Sequence, residues 1–290
     1  MNLRNKNVII TGASQGFGAA IAKAFVEQEA NVILCARNLN KLQRVQQELR
    51  KIAHSSTKVL IQVTDVSKSD DVQNLIQTAR KELCSVDILI ANAGVYGTKG
   101  PIEEVDWGEW SSAIDINLKG TVLMCREVIP IMKRQGKGKI IILSGGGATK
   151  PMPNLSAYAA SKAAVVRFAE TLAEEVRDFK IDVNTIAPGA LNTDMLDEII
   201  AAGPEKVGEK FHQQSMKQKN SGGTPFSKGV DLSLFLASAE SDGITGKLIS
   251  AVWDKWQEFP SRRDVLNTSD IYTLRRITTN ERSVPWSDVE

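Results

Sequence analysis

Short runs of consecutive apolar residues recur along the chain, and stretches with helical spacing lie between them. Residues 7–11 read Asn-Val-Ile-Ile-Thr and residues 31–36 read Asn-Val-Ile-Leu-Cys-Ala; residues 58–63, 87–91, 139–144 and 181–186 carry runs of the same kind. A last strand is expected near 247–251, and helices are expected over about 16–28, 39–53 and 70–83. A strand with one wet face alternates apolar and polar residues, whereas a strand covered on both faces does not alternate, and these do not. The succession β-α-β-α therefore predicts an α/β fold with a doubly wound parallel sheet in three α/β/α layers. Such sheets bind ligands beyond the carboxyl ends of their strands. The residues carrying candidate chemistry fall just there.

Composition narrows the class. A chain of 290 residues fits one large α/β domain, or one domain with an appendage. Hydrophobic residues make up 42% and charged residues 24%, with a net charge of +2 and no block of like charge, so the electrostatic footprint of a nucleic-acid binder is missing. No apolar run approaches the roughly 20 residues that span a bilayer. Cys35, Cys84 and Cys125 lie far apart, and His54 and His212 are isolated, so no metal site is expected. Buried free thiols are expected instead, which suits a reducing compartment. With the first strand starting near residue 7 there is no room for a signal peptide, and a cytoplasmic location is expected.

Between the first strand and the first helix the chain reads Thr11-Gly12-Ala13-Ser14-Gln15-Gly16-Phe17-Gly18. In that context Gly12 makes a tight turn, Gly16 lets the backbone approach a pyrophosphate, and Gly18 lets helix and sheet pack closely. The helix start offers unpaired N–H groups to phosphates. Asp65, with Val66 beside it, follows the third strand, where it either accepts from an adenine amino group or caps the next helix. Asn92-Ala93-Gly94 follows the fourth strand. At the end of the second strand, where a carboxylate would bind a ribose hydroxyl and repel a 2′-phosphate, the chain reads Cys35-Ala36-Arg37-Asn38. Arg37 there favours NADP(H) over NAD(H), unless it is simply a solvated surface residue.

Tyr158-Ala159-Ala160-Ser161-Lys162 places a phenol and an ammonium four residues apart on one helix face. A free phenol exchanges protons poorly at neutral pH; a nearby ammonium is expected to lower its pKa and ready it for acid–base work.

The glycine pattern, the Asn-Ala-Gly and the Tyr-xxx-Lys, in that order, resemble the short-chain dehydrogenase/reductase family in its compact branch, over about residues 5–251. The resemblance implies a Rossmann fold, hydride transfer between a nicotinamide and a carbonyl or secondary alcohol, and a homodimer or homotetramer built through the helix that Tyr158 opens. It assigns the proton donor and acceptor to Tyr158, a ribose contact to Lys162, and a water of a proton relay to Asn117. It also assigns the nicotinamide wall to Pro188-Gly189 and a carboxamide contact to Thr193. The family's substrate-binding serine stands thirteen residues before the tyrosine. Here that position is Gly145, with Ser144 one residue early. Either a local adjustment lets Ser144 replace it, or the serine is missing and the chain is a dinucleotide-binding relative with weak or lost catalysis.

Residues 194–226 correspond to the family's substrate lid, and the glycines at 203, 208, 222 and 223 suggest mobility there. Met195, Leu196, Phe211 and Met216 either line a pocket or pack amphipathically. Relatives end soon after the last strand, but this chain continues through a 252–290 extension containing Trp253, Trp256, Phe259, Tyr272, Trp286 and the pairs Arg262-Arg263 and Arg275-Arg276. That tail either straps its own domain or reaches a neighbouring subunit or the active site. Similar tails in relatives point to a sugar-related substrate.

Overall fold

The structure is a computed structural model, and it describes residues 2–282. Trp286, counted above among the tail aromatics, lies outside the described residues.

Seven strands form one parallel sheet: β1 (Asn7–Thr11), β2 (Asn31–Ala36), β3 (Val59–Val63), β4 (Ile88–Ala91), β5 (Gly138–Leu143), β6 (Ile181–Ala187) and β7 (Leu248–Ser250). Their spatial order is β3-β2-β1-β4-β5-β6-β7, so the winding reverses between β1 and β4. That reversal opens a crevice at the carboxyl edge, and the glycine turn after β1 and Asn92-Ala93-Gly94 after β4 border it. The non-alternating runs have the expected cause. Val8, Ile9 and Ile10 of β1 and Ile140, Ile141 and Ile142 of β5 are all buried, half of each strand facing one helical layer and half the other.

Between strands lie α1 (Gly16–Glu27), α2 (Leu39–Ile52), α3 (Ser69–Leu83), α4 (Trp107–Ile114), α5 (Gly120–Gln135) and α6 (Ser156–Val176). The stretch compared above with the family's lid is helical: α7 (Asp194–Ala202), α8 (Pro204–Val207) and α9 (Glu209–Ser221) follow one another, and α10 (Phe226–Ala237) returns to the sheet. Gly203 and Gly208 sit at the junctions with φ of 78° and 83°. They break and restart helices, a glycine's use at a positive φ, and Pro204 opens α8 where its missing N–H costs nothing.

One thiol departs from expectation. Cys35 and Cys125 are buried, but Cys84 is exposed, because it ends α3 in a left-handed conformation at the surface.

The described part of the tail packs back on its own chain. Trp256 and Phe259 join the core, with Trp256 against Phe235 at 5.2 Å, and α11 (Arg263–Thr268) buries Leu266. Tyr272 then accepts from the Leu248 N–H of edge strand β7 at 2.7 Å, while Lys247 Nζ donates to the Ser269 and Ile271 carbonyls at 3.1 Å each. Arg275 pairs with Asp270 and Glu281, and Arg262 with Glu258, so these two arginines are engaged within the tail itself. Trp253 stands apart, 85% exposed. No helix among the described residues is long and apolar enough to cross a membrane.

Candidate active site

The glycine turn is shaped by what presses on it. Gly12 (φ 62°) and Gly16 (φ 55°) take left-handed conformations, and a Cβ on Gly12 would lie 2.9 Å from the Ala93 Cα. A Cβ on Gly18 would overlap the Gly12 carbonyl oxygen. Thr11 Oγ1 accepts from the N–H groups of Asn92 and Ala93 at 2.9 Å, and Asn92 Nδ2 donates to the Thr11 carbonyl at 2.9 Å. Asn92 is thus the bolt between the ends of β1 and β4. At the start of α1, Gln15 makes no side-chain cap, which leaves the first-turn N–H groups without a side-chain acceptor.

A cleft of about 360 Å³ opens over this turn. Gly12, Ser14, Gln15, Gly16, Phe17, Gly18, Arg37, Asp65, Val66, Asn92, Ala93, Gly94 and Thr193 all line it; Pro188 and Gly189 do not. Gly189 (φ 100°) instead packs where a Cβ would meet Thr224 and Val252. Asp65 does not cap α3, whose N-cap is Lys68; its Oδ1 accepts from Ser67 N at 3.1 Å and Ser67 Oγ at 2.7 Å. Burial works against the Asp65 carboxylate, but those two hydrogen bonds and the charge of nearby Arg37 outweigh it and hold its pKa below the usual value. Arg37 itself is exposed at the cleft rim.

A second cluster begins at Gly94. A Cβ there would lie 3.2 Å from Asn117 Oδ1 and 3.4 Å from Lys162 Nζ, so a bare backbone stands between those two groups. Asn117 sits in a π-helical turn, Asp115–Lys119, where one extra residue per turn interrupts the run from α4 to α5. It is 1% exposed. Its Nδ2 donates to the Val95 carbonyl and to Ser161 Oγ, both at 2.9 Å, and its Oδ1 accepts from Val95 N at 2.8 Å. Lys162 Nζ donates to the Leu143 carbonyl at 2.7 Å and lies 5.8 Å from the centre of the Tyr158 ring.

The electrostatics correct one expectation. Lys162 does not pull the Tyr158 pKa down in this geometry; burial pushes it above the ordinary phenol value, with a smaller push from Tyr96. Burial likewise brings Lys162 down to about 8. Both groups are desolvated, and desolvation penalises whichever form is charged.

Ser144 is a second correction. Its hydroxyl is buried and turned to the Lys162 carbonyl at 3.4 Å. The residue facing the phenol is Gly145, since a Cβ placed there would overlap the Tyr158 hydroxyl. Consecutive positions at a strand end point to opposite sides, and the glycine-rich turn Gly146–Ala148 does not undo that.

An apolar cluster packs around Tyr158. Leu155, Ile199 and Val207 are buried against it, with Tyr96, Met152, Met195, Ala202 and Phe211 packed around them. Of the four side chains considered from the sequence, Met195 and Phe211 belong to this cluster, Leu196 is buried, and Met216 is 40% exposed. Tyr96, Met152 and Glu198 were not expected. Tyr96 had a signal, because it follows β4 at the ligand-binding edge; Met152 and Glu198 had none, because only the fold brings the segment before α6 and the helix α7 to this place. The described residues hold no cluster of groups able to bind a metal ion.

Residues 6–203 match the family described as short chain dehydrogenase. The chain belongs to that family. It is 35% identical over 249 residues to glucose 1-dehydrogenase of Gluconobacter oxydans, covering 84% of this chain and 89% of that protein. Among solved structures it resembles levodione reductase, at TM-score 0.79 and 26% identity, over 88% of this chain and 98% of that one. It also resembles a 7 alpha-hydroxysteroid dehydrogenase complexed with NADH and 7-oxo glycochenodeoxycholic acid, at TM-score 0.76 and 26% identity, over 86% of this chain and 95% of that one.

This short-chain dehydrogenase is therefore an NAD(P)-dependent oxidoreductase, and the cleft fits its dinucleotide. The three glycines form a cradle that Cβ atoms would obstruct, and the uncapped start of α1 offers N–H groups to phosphates. When bound, the nicotinamide supplies hydride chemistry. The residues that would hold it are Gly12, Gly16 and Gly18 as the cradle, with Asn92 bolting the two strand ends together and Gly94 as open backbone next to Lys162.

Proposed function

We propose that this chain is an NADP(H)-dependent oxidoreductase interconverting a carbonyl and a secondary alcohol, with Tyr158 as the group that gives or takes the proton. The observation that carries this reading is the meeting of Asn117 and Lys162 across Gly94, one helical turn from Tyr158 and next to the glycine cradle. A buried, raised phenol is protonated at neutral pH, which suits it to donate to a developing alkoxide. Lys162 and Asn117 connect by hydrogen bonds to Leu143, Val95 and Ser161 and hold the surrounding backbone in register. The preference for NADP(H) rests on Arg37 at the cleft rim and on the absence of a carboxylate from the end of β2. A charge-assisted contact of that kind contributes roughly 1.5–3 kcal/mol.

The apolar cluster favours a substrate with an apolar body over a sugar, whose hydroxyls would need partners that Met152, Leu155, Ile199 and Val207 lack. A sugar-related substrate keeps the support of the tail's resemblance and of the relative named glucose 1-dehydrogenase. The second reading, a dinucleotide-binding protein with lost catalysis, draws on Gly145 and on the long tail, whose described part packs on its own chain.

Fluorescence titration with NADPH and NADH, paired with Tyr158→Phe, separates the readings. Turnover is expected to fall by at least about 100-fold in Tyr158→Phe while NADPH affinity stays unchanged and exceeds NADH affinity in both proteins. Unchanged turnover would sink the catalytic assignment; equal affinities would remove the NADP(H) preference.

A further inference from the structure

A carbonyl turning into an alkoxide draws stabilisation from every donor aimed at its oxygen, and a site with a single donor gives up much of its rate. Tyr158 is one such donor. The residue facing its hydroxyl from β5 is Gly145, which has no side chain to offer. The serines near it are committed elsewhere. Ser144 Oγ is turned to the Lys162 carbonyl, and Ser161 Oγ donates to the Tyr158 carbonyl at 2.8 Å while accepting from Asn117. Met152, Leu155, Met195, Ile199, Val207 and Phe211 carry no N–H or O–H in their side chains. That leaves Tyr96. Its ring lies against the Tyr158 ring at 4.6 Å and 49°, and neither phenol hydroxyl makes a hydrogen bond to another described residue.

We propose that Tyr96 is a second catalytic phenol, donating a hydrogen bond to the substrate's carbonyl oxygen beside Tyr158 and supplying the donor that Gly145 cannot. The inference rests on the oxidoreductase reading above. In reduction, hydride from the reduced nicotinamide bonds to the carbonyl carbon, the C=O π pair moves to oxygen, and the Tyr158 proton completes the hydroxyl. Tyr96 transfers nothing and stays protonated throughout.

Two features hold Tyr96 to that task. Asn117 clamps the preceding residue, Val95, from both its N–H and its carbonyl at 2.8 and 2.9 Å, so the backbone that carries Tyr96 moves with the catalytic cluster. Burial, and after it the carboxylate of Glu198, raises the Tyr96 pKa, which keeps a donor proton on the phenol at neutral pH.

The test uses the full-length enzyme with whichever of NADPH or NADH it binds more tightly, and two probe ketones. Acetophenone is unactivated and needs a strong donor; 9,10-phenanthrenequinone is activated and needs it less. Tyr96→Phe keeps the ring and removes only the hydroxyl. Its kcat on acetophenone is expected to fall by about 100-fold, with KM little changed and a markedly smaller loss on the quinone. Tyr158→Phe is expected to lose both substrates. Wild-type kcat in Tyr96→Phe, or an equal proportional loss on the two ketones as a packing role would give, overturns the proposal while leaving Tyr158 in place. If the wild type reduces the ketones and Tyr158→Phe reduces them equally fast, the reading of Tyr158 as proton donor fails and this inference goes with it.

Discussion

Lys162 carries its charge at a cost that the fold accepts in order to place it. It is 6% exposed and its pKa is brought down by burial from 10.5 to about 8. Below about 8 the ammonium is charged in both folded and unfolded chains, and its burial penalty is fully present. Between about 8 and 10.5 the unfolded chain binds more protons than the folded one, so stability rises with pH. Lys162→Met removes the penalty and also the hydrogen bond to Leu143. At roughly 1.4 kcal/mol per pKa unit, less about 1 kcal/mol for that bond, the variant is expected to be about 2 kcal/mol more stable at pH 7. Urea unfolding at pH 7 and pH 9.5 checks this: the wild type should gain stability between the two, and the variant should not. A variant less stable at both pH values would show that the Leu143 bond outweighs the burial of charge. Residues of this kind were legible in part. Tyr158 and Lys162 were readable from their spacing, but the direction of the Tyr158 shift was not, because spacing reveals proximity and says nothing of how much water the fold excludes.

Among elements, the glycine turn shows how closely packing and binding are joined. Gly18 opens no special backbone angle; it is needed because α1 and β1 approach until a Cβ would overlap the Gly12 carbonyl oxygen and crowd Asn92 Nδ2. Gly18→Ala must move backbone, and overpacking of that sort costs about 1–3 kcal/mol. The expected outcome is a loss of that size in unfolding free energy together with weaker NADPH binding. A Gly18→Ala protein with full cofactor affinity would show that the cradle tolerates the shift. The strands from β1 to β6 were legible to within a residue or two, because burial on both faces leaves non-alternating apolar runs. α4 and α5 were not singled out, since the π-helical turn Asp115–Lys119 breaks the phase of the apolar positions just where Asn117 enters the site. The helices α7 to α9 were missed for the opposite reason. Gly203 and Gly208 read as flexible linkers, yet each sits at a helix junction, and ion pairs tie α7 to neighbouring segments, Lys99 with Glu198 and Lys219 with Asp197.

Across the whole molecule, the tail divides into a part that belongs to the core and a part that does not. Trp256 is 6% exposed and packs on Phe235, whereas Trp253, three residues earlier, is 85% exposed. Trp256→Ala is expected to cost about 3–5 kcal/mol in urea unfolding. Trp253→Ala should stay within about 0.5 kcal/mol of wild type. Equal effects would mean that the tail is a loosely attached strap, not a closing element of the fold. Further along, the tail pairs with the outer edge of β7 and covers backbone groups that would otherwise face solvent as a template for another strand.

The sequence by itself determined the sheet, the glycine cradle and the Tyr158–Lys162 pair, because each is a local pattern: apolar runs, a turn that only glycine allows, two side chains one helical turn apart. Three things waited on the tertiary structure. Asp65 turned to Ser67 instead of capping α3; Gly145, not Ser144, came to face the phenol; and Tyr96 and the helices α7 to α9 completed an apolar cluster around it. Each depends on which way a side chain points once distant segments meet. A residue's neighbours across the fold, not its neighbours along the chain, supply the burial and hydrogen bonds that decide it.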